Sequence, residues 1–183
     1  MSRRVRLVVN PSAGKGRALE MLPAVAGTLR DDGLELTILL SRDFSEAHAM
    51  AERAVADGVD VLAVMGGDGM THLGVNTCAA THLAGDGRTT LGIIPAGTGN
   101  DLCRGLGLDP GDPVAAAAVV AAGHSRSMDL TRVGDRFVGG VLATGFDAMV
   151  NRRANGMAWP RGSARYTLAT LAELRVFSRS ATG

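Results

Sequence analysis

Val61-Leu62-Ala63-Val64-Met65-Gly66-Gly67-Asp68-Gly69 is the stretch whose reading decides the fold. Five apolar residues in a row, closed by a glycine turn, read as a short strand buried on both faces, as in the middle of a parallel sheet. Three glycines then surround one carboxylate. Glycine permits positive φ and leaves main-chain N–H groups within reach of a ligand that a β-carbon would hold off. A glycine turn between a buried strand and a helix suits a phosphate, because loop amides and the helix N-terminus both favour anions. Asp68 is out of character there. A carboxylate beside a phosphate is repulsive unless it meets a metal or accepts a proton. The other reading is a tight strand-to-helix turn with Asp68 as the helix cap.

The same pattern recurs on either side. Val5 to Val9 reads as a buried strand running into Asn10-Pro11-Ser12-Ala13-Gly14-Lys15-Gly16. This turn is not a Walker loop, since no Ser or Thr follows Lys15 and the upstream glycine is missing. Leu19, Leu22, Ala26 and Leu29 then share a helical face, with Pro23 as a kink or a start. Leu34 to Leu40 reads as a second strand with Ser41 at its end. Ser45 and Glu46 open a helix with Ala47, Met50, Ala51, Ala54 and Val55 on one face, closed by Asp57-Gly58. The helix pointing at the central glycine turn is expected from Met70 to about Ala80.

Leu91 to Ile94 forms a fourth strand feeding Pro95-Ala96-Gly97-Thr98-Gly99-Asn100-Asp101-Leu102-Cys103-Arg104. Asp112-Pro113 starts an Ala/Val helix to about Ala122. Strand, glycine turn and helix, repeated with short loops, predict an α/β fold with a doubly wound parallel sheet. Ligands in that architecture bind at the carboxyl ends of the strands, where Asn10, Ser41, Gly66 to Gly69 and Gly97 to Asp101 all fall.

After Gly123 the pattern changes. Ser127 to Val133, a Gly134-Asp135 turn and Phe137 to Ala143 read as a β-hairpin. Gly145-Phe146-Asp147 follows, then a basic loop, then a helix from Arg165 to Phe177 with Leu168, Leu171 and Leu174 on one side. One hairpin and one helix bury no core alone. Residues 1–125 therefore read as a complete α/β domain, and 126–183 as the incomplete start of a β-rich second one.

The chain has 183 residues, enough for one domain and a fraction of another, with one lysine (Lys15) against eighteen arginines. Cys78 and Cys103 lie far apart without metal-ligand spacing, which reads as inert thiols in a reducing compartment. The run behind Met1-Ser2-Arg3-Arg4 is too short for a signal peptide, and Val114 to Ala122 is too short to span a bilayer. A cytoplasmic protein is expected. Residues 1–150 carry 13 basic and 17 acidic side chains, whereas residues 151–183 carry 6 basic ones (Arg152, Arg153, Arg161, Arg165, Arg175, Arg179) against Glu173 alone. Such an end suits an anionic membrane surface or an acidic partner, or is an ordinary solvated face. No nucleic-acid partner is expected.

Three stretches in order, Asn10 to Lys15, Gly66 to Gly69 and Pro95 to Asp101, resemble the diacylglycerol kinase catalytic domain family. That family includes sphingosine, ceramide and bacterial lipid kinases and is more distantly related to NAD kinases. Asp129 and the Gly145-Phe146-Asp147 segment fit the start of the family's second domain, so the resemblance covers essentially the whole chain. It implies a lipid kinase using ATP and Mg²⁺, peripheral at the inner membrane surface, with a membrane-borne lipid as substrate. By resemblance the nucleotide contacts are Asn10, Pro11, Ser12, Ala13, Gly14, Ser41, Gly66, Gly67, Asp68, Gly69, Met70, Thr71, His72, Leu73, Gly97, Thr98 and Asn100. Asp68 matches the family's invariant acid, assigned to the metal–phosphate centre or to the attacking hydroxyl. Asp101 and Asp129 match acids that hold magnesium through water.

Phosphoryl transfer depends mostly on positioning and charge neutralisation. An ordinary aspartate, with a pKa of about 3.9, is a weak base, so Asp68 as proton acceptor would act late. The sequence departs from the family where Met70 replaces the usual threonine and His72-Leu73 replaces an Asn-Glu pair. Taken alone, His72 reads as a packing or surface histidine, like His48, His82 and His124. The family also continues further, into a β-sandwich that supplies a late glutamate and much of the lipid cleft. A chain ending here should bind nucleotide far better than it phosphorylates lipid. A kinase of a soluble substrate such as NAD and a non-catalytic nucleotide module are the alternatives. Apolar surface on the incomplete second domain suits a homodimer.

Overall fold

The computed structural model describes residues 2–31, 33–85, 87–140, 146–157, 159 and 163–180. Four parallel strands form one sheet: β1 (Arg4–Val9), β2 (Glu35–Leu40), β3 (Val61–Gly66) and β4 (Thr90–Pro95), in the order β2-β1-β3-β4. Between them run α1 (Arg17–Asp31), α2 (Phe44–Ala56) and α3 (Asp68–Leu83), with α4 (Asp101–Gly105) and α5 (Pro113–Ala122) after β4. Every residue of β3 is buried, as the apolar run requires. Side-chain alternation divides the core in two. Val5, Leu7, Val9, Val61, Ala63 and Met65 face α1 and α5. Val8, Leu62 and Val64 face α2 and α3. The sheet is doubly wound. Its winding reverses between β1 and β3, so their carboxyl ends, at Asn10 and Gly66, flank the switch point.

The helices differ from expectation in detail. α1 begins at Arg17 and runs through Pro23. Its buried stripe is Ala18, Val25, Ala26 and Leu29 with Leu22 partly covered, and Leu19, one step off that stripe, is 45% exposed. The cap of α2 is Asp43, not Ser45. Asp43 has the extended backbone of an N-cap and accepts the Glu46 N–H at 2.8 Å, whereas Ser45 already lies in the first turn. α5 is capped by Asp112, which accepts from the N–H groups of Val114 and Ala115, and ends on left-handed Gly123.

The hairpin is short, β5 (Thr131–Val133) with β6 (Arg136–Val138). The chain divides into two compact units, 1–140 and 141–183. The hairpin belongs to the first, docked on α3 through Asn76. The Asn76 amide donates to the Phe137 carbonyl at 2.9 Å and accepts its N–H at 2.8 Å.

In the second unit the expected basic loop is a helix, α6 (Phe146–Gly156), followed by α7 (Ser163–Ser180). Val150 and Ala154 of α6 pack with Ala169 of α7, and Arg153 pairs with buried Glu173 at 2.6 Å. The adjacent Arg152 and Arg153, beside Asn151, disguised this helix. On α7 the covered positions are Ala169 and Glu173, while Leu168 and Leu171 are exposed. The expected strand over 141–143, Gly145, Arg161 and the side chains of Leu174, Arg175 and Arg179 lie outside the described residues.

Candidate functional site

The first turn, after β1, is built on Asn10. Its N–H donates to the Met65 carbonyl of β3 at 3.0 Å, which ties the turn to the neighbouring strand. Its side-chain oxygen accepts from the Ser12 N–H at 3.1 Å and the Ser12 hydroxyl at 2.8 Å, an Asx turn. A 3₁₀ turn over Ala13–Gly16 follows, with Gly14 at φ 60 and Lys15 at φ 62. A β-carbon on Gly14 would lie 2.2 Å from the Ala96 carbonyl oxygen, so glycine is required where this turn meets the loop after β4. At the end of β2, buried Ser41 donates both its N–H and its hydroxyl to the Val9 carbonyl, each at 3.0 Å. Its hydroxyl oxygen is left with acceptor capacity only.

The second and third turns lean on each other. Gly66 accepts the N–H groups of Ala96 and Gly97 at 2.8 and 3.1 Å. A β-carbon on Gly97 would stand 2.3 Å from the Gly67 α-carbon, and one on Gly99 would stand 2.1 Å from Asp68 Oδ2. Asn100 is buried in a left-handed conformation, and its amide brackets Gly97, accepting its N–H at 3.2 Å and donating to its carbonyl at 2.9 Å. Exposed Thr98 is thereby held at the tip of the turn.

Asp68 is the first residue of α3, and the cap is Gly67, which has no side chain to offer the helix. The Asp68 carboxylate faces the third turn instead. Its Oδ2 accepts the Asn100 N–H at 2.9 Å and its Oδ1 accepts the Asp101 N–H at 2.7 Å. Of the residues that follow, Met70 and Leu73 are buried in the core beneath the sheet face. Met70 lies against Gly66, where a β-carbon would meet its Cγ at 2.5 Å. Thr71 is buried with its hydroxyl directed at the Gly67 carbonyl. Of the stretch from 67 to 73, Gly67, Asp68 and Gly69 keep partial or full exposure at the turn, and His72 is partly exposed further along the helix.

His72 and Leu73 line a different feature, a cavity of about 480 Å³ between α2, α3 and the hairpin. Phe44, His48, Asn76 and Phe137 line it too, and no residue of the three glycine turns does. Asn76, which fastens the hairpin there, was not singled out by the sequence, since an asparagine on a helix announces nothing by itself.

Asp101 is exposed and pairs with Arg104 at 3.3 Å, while Arg104 also donates to the Gly99 carbonyl. Asp129 is exposed on the segment before β5. Among the described residues no three His, Cys, Asp or Glu side chains converge as a metal-binding group. Burial pushes both thiols up to about 11, helped at Cys103 by the negative charge of Asp68. Neither cysteine is a nucleophile near neutral pH.

A doubly wound α/β domain with interlocked glycine turns at its switch point is the class that this fold and site define. A family model described as "Diacylglycerol kinase catalytic domain" matches residues 4–133. A second, "YegS C-terminal NAD kinase beta sandwich-like domain", matches residues 140–182. The chain belongs to the diacylglycerol kinase catalytic domain family, within the NAD kinase-like superfamily. It is 39% identical over 176 residues to a protein of Mycobacterium tuberculosis named "Diacylglycerol kinase", covering 93% of this chain and 55% of that one. A Staphylococcus aureus protein of the same name is 34% identical over 145 residues, covering 79% and 44%. A crystal structure of a diacylglycerol kinase from Bacillus anthracis superposes with a TM-score of 0.65 at 30% identity, covering 74% and 45%. The chain thus spans about half the length of these relatives. Among the described residues no helix is long and apolar enough to cross a membrane.

Proposed function

We propose that this chain is the nucleotide-binding portion of a lipid kinase that transfers the γ-phosphoryl group of ATP to the hydroxyl of diacylglycerol or a similar lipid. The observation that carries the reading is the interlocking of the three glycine turns at the β1/β3 switch point, in a chain of this family. The second turn leads into the N-terminus of α3, a helix of 16 residues, and helix N-termini favour phosphate oxygens. Thr98 is an exposed hydroxyl at the tip of the third turn. Magnesium would enter with the nucleotide and offset the phosphate charge. In the transfer, the lipid oxygen would form a bond to the γ-phosphorus as the bond to the β-phosphate oxygen breaks, and the hydroxyl proton would pass late to a solvent water.

The lipid would be met at a membrane surface, with the basic segment 151–183 toward anionic headgroups. A homodimer is part of the same proposal. The test is a calorimetric titration of the chain with ATP, with and without Mg²⁺, followed by a phosphorylation assay on diacylglycerol vesicles. Magnesium-dependent ATP binding supports the reading. Absence of ATP binding removes it, and phosphorylation of NAD in place of lipid would move it to a soluble acceptor.

A further inference from the structure

The residue that the resemblance makes the centre of the chemistry is engaged elsewhere in this structure. Both carboxylate oxygens of Asp68 accept main-chain N–H groups of the opposite turn, from Asn100 at 2.9 Å and Asp101 at 2.7 Å. The space for this arrangement exists because residue 99 is glycine, since a β-carbon there would stand 2.1 Å from Asp68 Oδ2. The charge of Asp68 is also felt by buried Cys103 in the helix behind that turn. We propose that Asp68 is a positioning residue. Its carboxylate fastens the Gly97–Asp101 turn to the start of α3 and so sets Thr98 against the α3 N-terminus, instead of removing the proton of the attacking hydroxyl. This deepens the lipid-kinase reading and rests on it for the nucleotide.

Two physical arguments favour fastening. An ionised carboxylate that accepts two amide hydrogens holds them by charge-assisted bonds, which are stronger than neutral ones. Both Asp68 oxygens are also directed at the main chain of the opposite turn, one at the Asn100 N–H and the other at the Asp101 N–H. Asp68 is exposed, so the clamp acts on local geometry more than on global stability.

Two variants separate the roles. Asp68→Asn keeps the shape but turns an NH₂ group toward an N–H donor, which breaks one bond and removes the charge. Gly99→Ala leaves the carboxylate intact and wedges it away from the turn. The first readout is amide hydrogen exchange at Asn100 and Asp101, which needs no nucleotide. The second is ATP affinity by calorimetry, on the same chain. Fastening predicts faster exchange at both amides in both variants, and ATP binding weakened by roughly ten-fold, equivalent to about 1.4 kcal/mol. The double variant should bind no more weakly than either single one. Melting temperatures should stay close to that of the unsubstituted chain. A purely electrostatic role predicts the opposite sign for Asp68→Asn, since loss of a negative charge beside the phosphates tightens ATP. Unchanged exchange at Asn100 and Asp101, or normal ATP affinity in Gly99→Ala, overturns the proposal. If the unsubstituted chain binds no ATP, the lipid-kinase reading falls with the nucleotide part of this one, while the exchange rates still decide whether Asp68 fastens the turn.

Discussion

Gly97 and Gly74 are both crowded, but by different kinds of neighbour, and the difference can be measured. A β-carbon on Gly97 would meet the Gly67 α-carbon at 2.3 Å and its nitrogen at 3.0 Å, backbone that cannot rotate aside. A β-carbon on Gly74 would meet Leu91 Cδ1 at 2.5 Å and Val64 Cγ1 at 3.2 Å, side-chain ends that can move. Gly97→Ala should therefore lower unfolding stability by about 1–3 kcal/mol, as overpacking does. Gly74→Ala should stay within about 1 kcal/mol of the parent, because alanine's helix propensity offsets part of the crowding. Urea denaturation of the two variants checks the ordering. The thiols make a second case. Cys78 is buried and its thiol is pushed from 9.0 up to about 11. As pH rises from about 9 to 11 the unfolded chain gives up this proton and the folded chain keeps it. The unfolded state then binds fewer protons, so stability should fall with rising pH across that window, by at most about 1.4 kcal/mol per pH unit. A disulfide-exchange reagent at pH 8 should label Cys78 and Cys103 only after denaturant is added. At this scale the sequence located the turns correctly and missed why several of their residues are there. Gly97 answers to Gly67 and Gly99 to Asp68, partners some thirty positions away that no local pattern reveals.

The elements were more legible than their ends. Four apolar runs became four parallel strands in the expected places, because burial on both sheet faces demands unbroken apolar sequence. Caps depend on single side-chain contacts, and Asp43 displaced Ser45 on that account. α6 was hidden because Arg152 and Arg153 interrupt its apolar stripe, although Val150 and Ala154 fall at the i, i+4 spacing that buries them. For α5, whose residues are nearly all alanine and valine, the Asp112 cap is the main polar signal at its start. Asp112→Ala should cost about 1 kcal/mol, seen as a lower midpoint in thermal unfolding by circular dichroism. Asn76 tests a different kind of join. Its amide meets both backbone groups of Phe137, so Asn76→Ala should release the hairpin while the sheet stays folded. Limited proteolysis should then cut near the Gly134-Asp135 turn much faster than in the parent. An unchanged cleavage rate would mean that apolar contact alone holds β6 to α3.

At the scale of the whole molecule, the two units carry opposite charge, with a basic excess confined to residues 151–183. That asymmetry was plain in the sequence, because charge counts need no fold. Its distribution over the surface was not, and the structure qualifies it, since Arg153, though exposed like Arg152, is paired with Glu173. Apolar side chains accompany the arginines, as Tyr166, Leu168 and Leu171 are 46%, 42% and 56% exposed and Trp159 is 78% exposed. Exposed aromatic and leucine side chains among arginines are the combination that settles at a lipid interface, the charge drawing the segment in and the rings entering the headgroup layer. Trp159 is the only tryptophan of the chain, so its fluorescence reports on this unit without labelling. Vesicles containing anionic phospholipid should shift its emission to the blue, and vesicles of neutral phosphatidylcholine should not. Raising salt from about 0.1 to about 1 M shortens the screening length from about 10 to about 3 Å and should reverse most of the shift. Each basic side chain near such a surface contributes about 1 kcal/mol, so Arg152→Glu, which reverses one charge, should weaken vesicle binding by roughly ten-fold or more. A blue shift equal on neutral and anionic vesicles, and indifferent to salt, would mean that the apolar side chains act alone and that the arginines face water for another reason.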